Sequence, residues 1–400
     1  MTSKVGAVSL AAASAAAFVV FAVMAWLFTR EGSVGLYRWT TWRGRFNAIL
    51  IAGALPLALA LLGLALRKVA GGGPGAALGL AATALAGIVA LGAIGFLAWL
   101  LATSRAMSAP APKVRLVDPV SGIASKAEGR VSLSFSSDPH WGVGTADAAA
   151  REAILRGVAA RRPDAFLVLG DHVEEGRIEG PWREAAGAYA SLLGEVPVRP
   201  LMGNHDAVVN GQYHYERFFF PDRAMSDTGS PLYYSIDSGP VRIFVLDILW
   251  RAESFGREQA RWLESSLAAL PPGKQAIVVS HCFAFSSGYV DEDTGLPWYD
   301  SPEVISRLGP ILERGRVALH VAGHNHYLEL LEARGVTYAV VGAMGGKPDP
   351  EPTYVSPASR WIAVGTYGRL DVEASASGLE LSFVDASGAV LKRAFVKATR

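Results

Sequence analysis

The chain has 400 residues, enough for one large domain with an appendage or for two domains. Lys and Arg number 37 against 36 Asp and Glu, a formal net charge of +1, so no nucleic-acid partner is indicated by bulk electrostatics. The single cysteine, Cys282, excludes an internal disulfide and a cysteine-based zinc site.

Hydrophobic residues make up 51% of the chain, and the excess lies toward its beginning. Val5–Phe28, Ala48–Leu66 and Ala76–Ala102 contain no Asp, Glu, Lys, Arg or His. A helix crosses a bilayer core with roughly 20 apolar residues, so all three stretches are expected to be transmembrane helices. Buried core helices are the ordinary alternative, but Ala/Leu/Gly runs without a polar face suit that role poorly. The first stretch is longer than the roughly 7–15 apolar residues of a signal peptide and ends without a small-x-small site, so it is expected to remain uncleaved. Arg67-Lys68 and the glycine-rich turn at 71–75 separate the second and third.

Lys4, Arg67 and Lys68 fall on one side of a three-span arrangement. Arg30, Arg38, Arg43, Arg45, Arg105, Lys113 and Arg115 fall on the other, with whatever follows. That bias leans the C-terminal domain toward the cytoplasm. The expected organisation is a membrane region at 1–103, a proline-containing linker at 104–130 and a folded domain at 131–400.

From Val131 short apolar strands alternate with helices. Strands are expected at Val131–Ser137, Ala165–Leu169, Val196–Met202, Leu232–Ile236, Val241–Asp247, Ala276–Ser280 and Ala318–Ala322. Helices are expected at Ala146–Arg161, from Pro181 to Leu193 and at Gly256–Leu270. The remainder reads as β structure at Val336–Val341, Ile362–Val372, Leu379–Val384 and Val390–Val396. This order implies an α/β four-layer sandwich, two mixed β-sheets flanked by helices.

Histidine- and aspartate-bearing segments follow these strands in order: Asp138-Pro139-His140, Gly170-Asp171, Gly203-Asn204-His205-Asp206, His281 and Gly323-His324-Asn325-His326. Any one of them is common by chance, but the ordered set is specific. Donors at successive strand ends converge on one sheet edge, where loops build a site. Carboxylate, imidazole and amide oxygen, without thiolate, suit Mn, Fe, Zn or Co, and a pair of such ions is the arrangement that hydrolyses phosphate esters.

Over Val131–Val341 these segments resemble the calcineurin-like metallophosphoesterases. The resemblance implies that Asp138, His140 and His326 hold one metal, that Asp171 bridges, and that Asn204, His281 and His324 hold the other. It implies that His205 binds no metal but faces the phosphate and assists the leaving oxygen, with Asp206 orienting its ring. The reaction so implied is in-line attack on phosphorus by a hydroxide held between two divalent ions. Tyr233–Asp247 and Gln259–Trp262 look like the purple acid phosphatase branch. That branch places a tyrosine three residues after the Gly-Asp aspartate, where this chain has Glu174, so no purple ferric centre is expected.

The expected substrate is a phosphate mono- or diester, and placement beside a membrane points to a lipid-linked or envelope phosphate. The alternative is a non-catalytic metal-binding sensory or interaction module on the same fold, which would be expected to have lost ligands or His205. Outside the motifs, His172 could sit over the site or make a loop contact, His320 reads as a core histidine, and His214 could touch substrate. Cys282 is expected to be buried. The loops Ala284–Asp300 and Gly345–Arg360 are candidates for shaping specificity.

Overall fold

The computed structural model describes residues 108–399 except 209–210, 222–225 and 293–294, together with the isolated positions 88, 92, 95, 99 and 102. Apart from those positions of the third stretch, the three expected membrane spans lie outside the described residues. Among the described residues no helix is long and apolar enough to cross a membrane.

One sheet is six-stranded. It contains β1 (Arg130–Ser136), β2 (Ala165–Val168), β3 (Val198–Pro200), β13 (Gly368–Ser375), β14 (Gly378–Asp385) and β15 (Val390–Lys397), in the order β15-β14-β13-β1-β2-β3. The other is seven-stranded. It contains β4 (Tyr234–Ser238), β5 (Val241–Val245), β6 (Gln275–Val279), β9 (Leu319–Ala322), β10 (Leu328–Ala333), β11 (Val336–Val341) and β12 (Ser359–Ala363), in the order β12-β10-β11-β9-β6-β5-β4. Both sheets are mixed. Strands β1, β2 and β3 are parallel neighbours, as are β5, β6, β9 and β11, and antiparallel strands complete each sheet. A small hairpin, β7 (Tyr289–Val290) with β8 (Pro297–Trp298), stands apart.

Alternation along the strands creates the layers, because successive side chains leave a strand on opposite faces. Val131, Leu133 and Phe135 of β1 meet Ile243, Val245, Ile277 and Val279 of the second sheet in a shared core. On the far side of the first sheet, Phe166, Val168 and Val198 pack under α1 (Ala148–Arg161), α2 (Glu179–Leu192) and α3 (Gln212–Phe219), which contribute Ile154, Trp182, Tyr189 and Phe219. On the far side of the second sheet, Phe244, Ala276 and Val278 pack under α4 (Arg257–Ala268) and α5 (Pro302–Arg314) through Leu263, Leu267, Leu308 and Leu312. The expected layers of helix, sheet, sheet and helix are therefore present.

Caps mark the helix ends. Asp147 opens α1 by accepting from the Ala150 N–H, and Arg162 closes it with a left-handed φ of 54°. Ser301 caps α5 ahead of Pro302.

One expectation requires correction. Ile362–Val372 is not one strand. Gly365 takes a φ of 65°, and the chain there leaves the second sheet, where β12 pairs with β10, and enters the first, where β13 pairs with β1. The described part of the segment at 104–130 packs against the domain. Val117 and Ile123 are buried in the inter-sheet core, and Val117 N–H donates to Val198 O at 3.0 Å.

Candidate metal centre

The parallel strands of both sheets deliver their C-terminal ends to one edge. Asp138 follows β1, Asp171 follows β2, Asn204 and His205 follow β3, His281 follows β6, and His324 and His326 follow β9. The turns there are unusual in conformation. Asp138 (φ 61°), His140 (φ 47°), Asp171 (φ 51°) and His324 (φ 74°) all occupy the left-handed region that side chains other than glycine rarely adopt. Such positions cost about 1–3 kcal/mol each and persist only where surroundings over-determine them. Here the turns brace one another: Asp138 N–H donates to Gly170 O at 3.1 Å, His140 N–H to Asp171 O at 3.1 Å, and Gly346 N–H to Asp138 O at 2.8 Å. The motif glycines are needed for space. A Cβ on Gly203 would collide with the Asp171 carboxylate, and one on Gly323 with Ser137 Oγ and the Asp138 carboxylate.

Side chains converge in two main groups that could each hold a metal ion, Asp138 with His140 and His326, and Asp171 with His281 and His324. In the first, Asp138 Oδ1 lies 3.8 Å from His140 Nε2 and 3.4 Å from His326 Nε2. In the second, His281 Nε2 lies 3.3 Å from Asp171 Oδ2, 2.9 Å from Asn204 Oδ1 and 3.2 Å from His324 Nδ1. Asp171 stands between the groups, since its Oδ2 is also 3.8 Å from His140 Nε2.

Partners behind the rings set which nitrogen faces inward. His281 Nδ1 meets Leu169 O at 2.9 Å, His326 Nδ1 meets Lys347 O at 2.5 Å, and His140 Nδ1 meets the Glu174 carboxylate at 2.8 Å. Each of these rings thereby turns Nε2 toward the centre, the second-shell arrangement typical of metal-ligating histidines.

The donor set fits cations. Asp138 Oδ1 and His140 Nε2 are buried without a hydrogen-bond partner among the described residues, a costly state for polar atoms unless another group satisfies the site. The electrostatics agree. Burial alone would lower the His140 and His281 pKa values, yet Asp138 with Glu174 raises His140 to about 10 and Asp171 raises His281 to about 9. Burial would raise Asp138, yet the neighbouring His140 and His326 rings hold it well below the usual carboxylate range. A site that pulls protons onto its imidazoles this strongly is built around positive charge. His324 differs: burial first, then the His281 charge, lower it to about 3, so it stays a neutral donor.

Beside the two groups lies a cavity of about 230 Å³ whose lining includes His140, Asp171, His205, Tyr289, Trp298 and Lys347. His205 Nδ1 meets Glu174 O at 3.0 Å, and the Glu174 carboxylate comes within 3.6 Å of the same nitrogen.

Asp206 makes backbone contacts beside these residues. Its carboxylate is fully buried and accepts from Gly203 N–H at 2.8 Å and Val173 N–H at 3.1 Å, tying two turns of the site together. Burial, then the Asp171 charge, push it up to about 8. Glu174 meets both His205 and His140. Its place in the sequence, three residues after Asp171, was the available signal.

Of the remaining histidines, His172 turns away into the core, bonded to Tyr189 Oη at 2.8 Å and Leu201 O at 2.7 Å. His320 is buried against Ser280 Oγ at 2.8 Å, as a core histidine should be. His214 is buried beside the Tyr213 and Phe218 rings and is not among the cavity's lining residues. Cys282 is buried, and burial raises its thiol to about 12. Both candidate loops reach the cavity, through Tyr289 and Trp298 from one and Lys347 and Asp349 from the other, and Tyr289 Oη donates to Asp349 Oδ1 at 3.0 Å.

Two mixed sheets between helices, with imidazoles and carboxylates gathered at the strand ends of both, are the arrangement of a metallophosphoesterase fold. The family model of the calcineurin-like phosphoesterases matches residues 134–328. Among solved structures it is similar to the purple acid phosphatase PPD1 from yellow lupin seeds, with 16% identity and a TM-score of 0.58 over 69% of this chain and 55% of that one. It is also similar to GAP50, named as the anchor in the inner membrane complex of Plasmodium, with 15% identity and a TM-score of 0.53 over 68% of this chain and 90% of that one. At such identities these likenesses show the fold. The chain spans about 55% of the lupin protein's length, and no curated protein sequence matches it.

Proposed function

We propose that the protein is a membrane-anchored phosphoesterase that hydrolyses phosphate mono- or diesters with two divalent ions, Mn, Fe, Zn or Co. Asp138, His140 and His326 would hold one ion, Asn204, His281 and His324 the other, and Asp171 would bridge them. Bound there, the ions would supply Lewis-acid charge for the phosphoryl oxygens and bring the pKa of water from 15.7 toward about 7. The observation that carries the reading is the convergence of Asp138, His140 and His326, and of Asp171, His281 and His324, in two groups that could each hold an ion, with Asp138 Oδ1 and His140 Nε2 buried and unpartnered among the described residues.

The chain's own residues divide the remaining work. Glu174 fixes the tautomer of His140 and, through its carbonyl, the ring of His205. His205, at the cavity wall, assists departure of the ester oxygen by proton donation. Asp206 keeps the turns after β2 and β3 in register. Trp298 and Tyr289 cover one side of the cavity and limit water.

The apolar stretches at 1–103 are read as membrane spans, followed by an extended segment at 104–130 and the catalytic domain at 131–400. The basic-residue bias favours a cytoplasmic active site, and confinement near a bilayer favours a lipid-linked or envelope phosphate. Detergent-purified protein with manganese should hydrolyse generic phosphate esters, and it should turn over micellar lipid phosphates faster than soluble nucleotide esters. Equal rates on the two would remove the lipid assignment. Reporter fusions after Arg45 and Ala102 test the topology: cytoplasmic reporter activity at both supports it, and periplasmic activity overturns it.

A further inference from the structure

A second cavity, of about 250 Å³, adjoins the first and shares Trp298 and His324 with it. Its character is different. Trp250, Phe283, Leu296, Pro297, Trp298 and Tyr299 supply half of its lining. Three aromatic rings enclose the His324 imidazole. Trp298 stacks on it at 5.1 Å and 11°, Trp250 meets it edge-on at 5.1 Å, and Phe283 tilts against it at 5.8 Å. Tyr289 extends the parallel stack on Trp298, at 6.4 Å and 8°. The polar members include Arg251 and Glu303, which pair at 3.4 Å and are 32% and 49% exposed. The indole N–H of Trp298 is buried without a hydrogen-bond partner among the described residues.

We propose that this second cavity receives the alcohol side of the ester, and that it selects a compact, flat ring carrying hydrogen-bonding groups. The proposal rests on the phosphoesterase reading, with phosphate in the first cavity. Size argues for a ring. Drug-sized ligands occupy roughly 300–1,000 Å³, and this space is smaller, too short for an extended lipid chain. Chemistry argues the same way. Flat rings gain from offset or edge-to-face contact with aromatic walls, while Arg251 and Glu303 provide a donor and an acceptor at the rim of the apolar space. On a lipid-linked substrate, the ring next to phosphorus would enter and the lipid would remain outside.

Calorimetric titration of the full-length, manganese-loaded protein tests this without requiring turnover. The probes are inorganic phosphate, 1-naphthyl phosphate and farnesyl phosphate, applied to the parent and to two variants. Leu296→Trp fills the cavity, and Tyr299→Ala opens its wall, so that misfolding of one leaves the other informative. The expected result is at least tenfold tighter binding of naphthyl phosphate than of inorganic phosphate, with that ratio falling at least tenfold in Leu296→Trp and at least threefold in Tyr299→Ala. Equal affinity for the two probes in the parent, or a ratio unmoved by both variants, overturns the subsite. Farnesyl phosphate binding more tightly than naphthyl phosphate, irrespective of the variants, overturns it in favour of a lipid groove. Ring-dependent binding without hydrolysis of any probe would leave the subsite standing and remove the enzymatic reading instead.

Discussion

Glu174 offers a direct test of how the centre is tuned, because one side chain serves two histidines. Its carboxylate meets His140 Nδ1 at 2.8 Å, and its side chain is 37% exposed. A hydrogen bond to a charged group contributes about 1.5–3 kcal/mol, and partial exposure places this one at the lower end. About 1.4 kcal/mol corresponds to a factor of ten, so Glu174→Gln, which keeps a neutral acceptor, should weaken manganese binding about tenfold. Glu174→Ala removes the acceptor and should weaken it by up to about a hundredfold, the upper end of the effect seen when a second-shell partner of a metal ligand is lost. Titrating metal-free protein with manganese by calorimetry, together with metal content by mass spectrometry, reads both variants. Affinities within twofold of the parent for both would refute the argument that Glu174 holds His140 as a ligand.

Three further outcomes follow from the geometry. His205→Asn should lower kcat by about 10²–10⁴-fold, the usual range for a positioned general acid, while bound metal stays at the parent level; loss of metal would move His205 into the ligand set. Asn325 Nδ2 lies 2.9 Å from Trp298 O and 3.0 Å from both Ser286 Oγ and Ser287 O, so Asn325→Ala leaves buried acceptors unpaired. That should cost about 1–3 kcal/mol in chemical denaturation, and an unchanged midpoint would sink the clamp. Burial holds His320 at about 3 against an ordinary 6.5. The unfolded chain therefore binds a proton that the folded state refuses, and stability is lost as pH falls from 6.5 toward 3. The loss runs at up to about 1.4 kcal/mol per unit. His320→Gln should flatten that slope, and parallel pH profiles for parent and variant would contradict it.

Much of the fold could be read from residue order. The apolar runs ending at Asp138, Asp171, Gly203, His281 and Gly323 are largely buried strands that each pair in parallel with a neighbour, and near-continuous hydrophobicity is the mark of such pairing. What escaped notice was set by local backbone or by tertiary context. Leu328–Ala333 adjoins the final motif and carries Glu329, which reads as a surface residue. In the fold its carboxylate is buried and accepts from Ser287 N–H at 2.9 Å. The Arg334-Gly335 turn that closes its hairpin has φ values of 51° and 77°, a signature that only the glycine hinted at. Gln212–Phe219 is a short helix in which aromatic residues of weak helical propensity are held by burial under the first sheet.

The candidate site divides along the same line. The metal-donor types were legible because their chemistry is rare in that order, and the structure brings Asp138, His140, Asp171, Asn204, His281, His324 and His326 together. The supporting residues were not. Asp206 stands next to a histidine in sequence but spends both oxygens on backbone N–H groups, while Glu174 reaches two histidines from a separate turn. Adjacency along the chain says little about which carboxylate meets which ring when four of the motif residues themselves, Asp138, His140, Asp171 and His324, have left-handed backbones.

Asp171→Asn tests the central claim most directly, with metal content and phosphate-ester hydrolysis measured side by side in the detergent-purified chain. Two metal ions per parent chain with manganese-dependent hydrolysis, both lost in the variant, is the predicted result. A variant that keeps its metal and hydrolyses esters like the parent would contradict a shared centre bridged by Asp171.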